Sequence, residues 1–242
     1  ALGAYTTGSL NLSIGSYTLS NQTGADNNIA VGYGVLYSNT TGANNVGVGV
    51  SVLVANTTGA NNVAVGHNAL DANTTGGQLV AVGYGALSAN TTADSNVAVG
   101  DNTLNDNTTG SANTAIGRSA LASNTTANNN TAVGRSALAA NTTGAQNTAV
   151  GYLALQTNTT GAGNVAVGRD ALLANTTASS NTAVGHNSLT GTTTGGNNTA
   201  VGNYSLHQNT TGEDCVAIGE QALENNTTAY YNICLLYTSP SP

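Results

Sequence analysis

Groups able to do chemistry are few in this 242-residue chain, and most of them share one position. All three arginines, two of the three histidines and three tyrosines fall directly after a glycine that returns every 17 residues. They are Tyr33, His67, Tyr84, Arg118, Arg135, Tyr152, Arg169 and His186; Ser16, Val50, Asp101, Asn203 and Glu220 fill the same position elsewhere. Tyr and Arg are favoured contact residues. One such residue per repeat makes either a contact ridge for a glycan, a receptor or a neighbouring fibre, or a solvated corner that tolerates any side chain. Catalysis fits poorly. His67, His186 and His207 lie in different repeats, no Ser/His/Asp set or carboxylate pair is phased with the period, and the glycines are too far apart for a phosphate loop. Cys215 and Cys234 lack metal-ligand spacing. On adjacent rungs and two positions out of line, their Cα atoms would stand roughly 8 Å apart, long for a disulfide. The sequence therefore predicts no catalytic residue, no cofactor and no metal.

The element that must position the ridge is the repeat itself. Glycine recurs at Gly15, Gly32, Gly49 and onward to Gly219, thirteen times at a spacing of 17, in a unit N-x-A-V-G-x-x-A-L-x-x-N-T-T-G-x-x. A fixed period without insertions means one structural rung stacked on itself. Val or Ile always precedes the glycine, Val, Ile, Leu or Thr stands two residues earlier, and Leu follows four residues later. The first two share a strand face, so the expected core is two β-branched residues and one leucine per rung. The reading is all-β: a parallel β-solenoid of about thirteen rungs over residues 1–234, with strands of five to six residues. A helix is excluded because N-T-T-G would stop it in every repeat.

Two further columns follow from this phasing. Between the β-branched residues lies a small one, including Ala64, Ala81, Ala98, Ala115, Ala132, Ala149, Ala166 and Ala183. On the expected strand polarity it points away from the core, where it serves either as a tolerated residue or as a close-packed oligomer interface. Seven residues after the glycine comes Asn-Thr-Thr, at Asn39, Asn56, Asn73, Asn90, Asn107, Asn124, Asn141, Asn158, Asn175, Asn209 and Asn226. Each matches an N-glycosylation acceptor. Each also suits a corner in which stacked amides form a ladder. Gln22 and Thr192 interrupt this column. The threonine pairs suggest, as a third reading, an ice-binding face, although they sit beside a corner and not in a strand.

Composition narrows the partners. Charged residues are 5% of the chain and the net charge is −7, which argues against nucleic acid. No apolar run is long enough to span a membrane. The chain opens inside a repeat, at what reads as the edge of a longer array, and residues 235–242 (LLYTSPSP) leave the pattern as a linker or a sequence artefact.

At N-x-[VT]-A-[VI]-G the chain resembles the YadA-like head repeats of trimeric autotransporter adhesins, and its longer N-T-A-V-G-x-x-A-L-x-x-N-T-T-G units are similar to phage and viral tail-fibre shafts. The resemblance covers about residues 1–234, although adhesin heads usually have repeats shorter than 17 residues. It implies a left-handed parallel β-roll that trimerises and serves surface adhesion or host attachment. The expected function is thus a non-catalytic fibre segment on a cell or virion surface, a homo-oligomer (trimer or filament) with a surface glycan or receptor as partner. The alternatives are an N-glycosylated extracellular filament and an ice-binding solenoid.

Overall fold

The computed structural model describes residues 7–236. They form fourteen strands and no helix. The chain divides into two compact units between Asn128 and Asn129. The first holds β1 (Leu12–Ile14), β2 (Ile29–Tyr33), β3 (Val46–Val50), β4 (Val63–His67), β5 (Val80–Val82), β6 (Val97–Val99) and β7 (Thr114–Ile116). Each pairs in parallel with the next at a register of 17, as in Ile29 to Val46 and Val46 to Val63. The second holds β8 (Thr131–Val133), β9 (Thr148–Val150), β10 (Val165–Val167), β11 (Thr182–Val184), β12 (Thr199–Val201), β13 (Val216–Ile218) and β14 (Ile233–Leu235), paired the same way. The fold is a parallel β-solenoid. Only β2, β3 and β4 reach five residues; the others have three, shorter than the sequence suggests. Leu235 still pairs with Ile218, so the stack extends one residue into the off-pattern segment, whose residues 237–242 lie outside those described.

The recurring glycine ends the strand, as its type demands. Gly49 has φ +139°, and a Cβ there would overlap the carbonyl oxygen of Gly66 on the next rung. Left-handed backbone recurs two and four residues later; Leu36, Leu53 and Leu70, for example, have φ of 51–54°. Leucine in this region costs on the order of 1–2 kcal/mol, which its burial offsets: Leu19 through Leu206 in this column are fully buried.

The polarity of the strand is the reverse of that expected. Ala64, Ala81, Ala98, Ala115, Ala132, Ala149, Ala166 and Ala183 have 0% exposure within the single chain, so they line its interior and cannot form an oligomer interface. The flanking β-branched residues point outward instead. The cause is the narrowness of the rung. The alanine column faces the residue three after the glycine, itself small and buried: Ala69, Ala86, Ala120, Ala137, Ala154 and Ala171. Where that wall carries Val35 and Val52, the strand carries Gly47, and a Cβ there would lie 2.5 Å from Val35 Cγ1. Where it carries Thr18, the strand carries Ser13, and the two hydroxyls bond at 2.6 Å.

Two asparagine ladders complete the interior. In the Asn-Thr-Thr column, Asn56 Nδ2 donates to Asn39 Oδ1 at 2.9 Å and to Gly59 O at 3.0 Å, and Asn73 and Asn90 repeat the pattern. In the second unit Asn158 donates to Asn141, and Asn175 to Asn158, both at 2.8 Å. A second column, four residues before the glycine, was not singled out by sequence. Asn45 Oδ1 accepts from the Asn62 backbone N–H at 3.0 Å, and Asn45 Nδ2 donates to Gly59 O at 2.9 Å. The Gly59 carbonyl thus receives both ladders. Where the columns are unbroken, each amide is satisfied by its counterparts above and below, which removes the usual cost of burying polar groups; Gln22 Oε1 and Asn175 Oδ1, beside the interruptions at Gln22 and Thr192, are buried without a partner.

Candidate functional site

The ridge after the glycine exists, and the strand-ending turn positions it. Tyr33, His67, Tyr84, Arg118, Arg135, Tyr152 and Arg169 are exposed, and His186 is half-buried. The column does not stand alone. Residues two and five after the glycine project beside it, which brings in Tyr17, Tyr37, Asp71, Asp170, Tyr204, His207 and Glu224. In each unit these three columns run side by side as a seam, and they hold every arginine and histidine of the chain.

In the first unit the seam is aromatic at one end. Tyr17 packs edge-on against Tyr33 with ring centroids 5.6 Å apart, and against Tyr37 at 6.4 Å. Two rungs on, His67 stacks on Tyr84 at 5.4 Å. Beside His67, burial pushes the Asp71 carboxyl pKa up; the backbone N–H groups of Asp71 and Ala72 and the positive potential of His67 oppose that shift. Asp71 Oδ1 is buried without a hydrogen-bond partner. Arg118 and Asp101 pair at 3.5 Å in the open, where such a pair contributes little.

In the second unit cations and rings alternate. The Arg135 and Arg169 guanidinium groups lie 5.7 and 6.0 Å from the Tyr152 ring centroid, within cation–π range. Arg169 also pairs with Asp170 at 3.0 Å. His186 and His207 both meet the edge of Tyr204, at 5.6 and 4.9 Å. The seam therefore offers flat rings and fixed cations, a surface suited to contact. In the sequence only its first column stands out. The other two were equally periodic, but chemistry-bearing residues occupy them less often, so they emerge only once the turn brings the three columns together.

The other candidate sites fare differently. The glycosylation reading is overturned for ten of its asparagines. Asn39, Asn56, Asn73, Asn90, Asn107, Asn124, Asn141, Asn158, Asn175 and Asn209 have 0% exposure, and a glycan on Nδ2 would have no room beside the ladder. Asn226 is half-buried but uses Nδ2 on Asn209 Oδ1 at 3.1 Å. The threonine pair divides its tasks. The first hydroxyl donates along the stack, as Thr57 to Thr74 O at 3.0 Å, and only the second threonine is exposed. That leaves a single hydroxyl column, not the two-dimensional array an ice-binding face needs. Cys215 replaces an asparagine of the second ladder and is buried; both cysteines are free thiols. Among the described residues, no three His, Cys, Asp or Glu side chains converge as a metal site, and no helix is long and apolar enough to cross a membrane. Comparison with family models, curated proteins and solved structures finds no match.

Proposed function

We propose that this chain is a rigid, non-catalytic segment of an extracellular fibre, which associates with further copies of itself and presents the seam as its contact surface. One observation carries the reading: the outward face of the strands. It bears two β-branched columns, with Ile29, Val63 and Ile116 at 38–41% exposure in the first unit and Val150, Val167 and Ile218 at 36–40% in the second. In each unit the column before the glycine is Val or Ile throughout, flanked by a column of Leu, Ile, Val or Thr, and an exposed apolar column of this kind marks an interaction surface. Its chemistry recurs once per rung, so a partner that matches it along its length must repeat at the same rung spacing of about 4.8 Å. A second copy of this chain satisfies that condition directly, and the likeness to YadA-like heads favours three copies. The interior supports a structural role, since alanine, leucine and the two amide ladders fill it. Low charge and an Asn/Thr/Gly-rich composition support a surface location.

Mass photometry and solution scattering test the reading. The expected result is an oligomer that the double variant Val150→Lys, Val167→Lys converts to monomer without loss of β-structure. A wild-type monomer at micromolar concentration would overturn it.

A further inference from the structure

The aromatic end of the seam contains a hollow of about 270 Å³ lined by Tyr17, Tyr33, Gly34, Tyr37, Ser51 and Val54. Its origin is a missing side chain. The column two after the glycine runs Tyr17, Gly34, Ser51, Asn68, so Gly34 leaves a gap between a ring and a hydroxyl. Gly34 has φ +65°, the same left-handed backbone that Asn68 and Asn102 adopt in that column at 55° and 50°. A Cβ at Gly34 would make only ordinary contact, 3.8 Å from Val54 Cγ2. Packing therefore leaves room for a side chain at Gly34, and its left-handed backbone, which favours glycine, is one that Ser51, Asn68 and Asn102 also adopt.

We propose that this hollow binds a neutral saccharide of one or two rings. The inference rests on the reading of the seam as a contact surface and names what it contacts. Three features select the ligand. The lining has no charged group, in a chain of net charge −7, which disfavours anions and leaves a cation no carboxylate to pair with. The rings meet nearly at right angles, 79° for Tyr17 with Tyr33 and 63° for Tyr17 with Tyr37, and so form a cup. A polyproline peptide docks in an extended aromatic-lined groove, whereas a pyranose can lay its C–H face on one ring and turn its hydroxyls to the rim. The lining residues supply three phenol hydroxyls and the Ser51 hydroxyl, each both donor and acceptor. The volume lies at the small end of ligand clefts, which run from roughly 300 to 1,000 Å³, as fits one or two sugar rings.

Saturation-transfer NMR on the whole chain tests the proposal, with glucose, galactose, N-acetylglucosamine, maltose, lactose and cellobiose as probes and a Pro-rich decapeptide as control. At least one sugar should receive saturation, and its titration should shift the ring resonances of Tyr33 and Tyr37. Gly34→Asn fills the gap with the residue its column uses elsewhere and should abolish the transfer while the far-ultraviolet spectrum and thermal midpoint stay unchanged. Tyr33→Ala should weaken binding about tenfold. No transfer to any of the six sugars, transfer that survives Gly34→Asn, or binding of the peptide alone would each overturn the proposal. The oligomeric state is measured separately, so loss of the saccharide site and loss of the fibre reading are distinct results.

Discussion

Gly47 stands directly opposite Val35: a methyl group at position 47 would come within 2.5 Å of Val35 Cγ1 and 3.4 Å of Val52 Cγ1. In most other rungs, alanine faces alanine or serine. The two walls of the rung thus share a fixed width, and one side gives way where the other grows. Gly47→Ala should destabilise the protein by about 1–3 kcal/mol through overpacking. Adding Val35→Ala should recover part of that loss, a non-additivity that urea unfolding of the four-member cycle measures.

Thr192 interrupts the outer amide ladder. Neither Asn175 Oδ1 nor Thr192 Oγ1 has a hydrogen-bond partner, and both are buried. Thr192→Asn restores a donor to Asn175 and gives Asn209 an acceptor. It should raise stability by about 1–3 kcal/mol, the usual cost of an orphaned buried polar atom. An unchanged unfolding midpoint would show that the gap is satisfied in some other way.

The reverse change tests the ladder where it is intact. Asn107 Nδ2 donates to Asn90 Oδ1 at 3.1 Å and to Gly110 O at 2.9 Å, and its own Oδ1 accepts from Asn124 at 2.8 Å. Asn107→Ala removes all three bonds and should cost about 3 kcal/mol or more. The exposed neighbour Thr109→Ala should change stability by less than about 0.5 kcal/mol. Equal effects from the two would contradict a load shared through the ladder.

Asp71 gives the fold a pH dependence of unusual sign for a carboxylate. Burial raises its pKa in the folded state, so the folded chain holds that proton more tightly than the unfolded chain does. The stabilising contribution is present at low pH and is lost as pH rises through the folded-state value. Asp71→Asn should therefore be more stable than wild type at pH 7, and the difference should shrink as the pH falls towards 4. A constant difference across that range would rule out titration of Asp71 as its source.

Much of this architecture was legible in the sequence because local rules fix it. Gly49 must be glycine beneath the backbone of Gly66, and Leu53 must be large and apolar to fill the turn. Each leaves a mark at every seventeenth position. The orientation of the strand was not legible. In a three-residue Val-Ala-Val strand, hydrophobicity favours valine inside, and only the width set by the facing wall decides otherwise; Gly47 opposite Val35 and Val52 was the clue in the sequence. Asn39 and Asn56 were readable as acceptor sites because polarity suggests exposure. Their burial depends on a partner one rung away supplying the missing bonds, which the stack provides and a single repeat does not display. The seam was half visible: the column of Tyr33 and His67 was evident, whereas Tyr17, Tyr37 and Asp71 joined it only through the turn.

The hydrogen bonds that run from each residue to its counterpart 17 positions away have a consequence for how such a chain can change in length. The upper surface of a rung offers what the lower surface of its neighbour requires, and this holds alike for Asn56 and Asn73, for Thr57 and Thr74, and for Val63 and Val80. Excising residues 67–83 would join Gly66 to Tyr84 and bring Asn56 under Asn90, with donors and acceptors again matched. In-frame gain or loss of one 17-residue block is therefore close to neutral, whereas a block of 16 or 18 would misalign both amide columns at once. The gene can lengthen or shorten by duplication and deletion in units that the fold accepts, so the number of rungs can change without redesign of the contacts that hold them together.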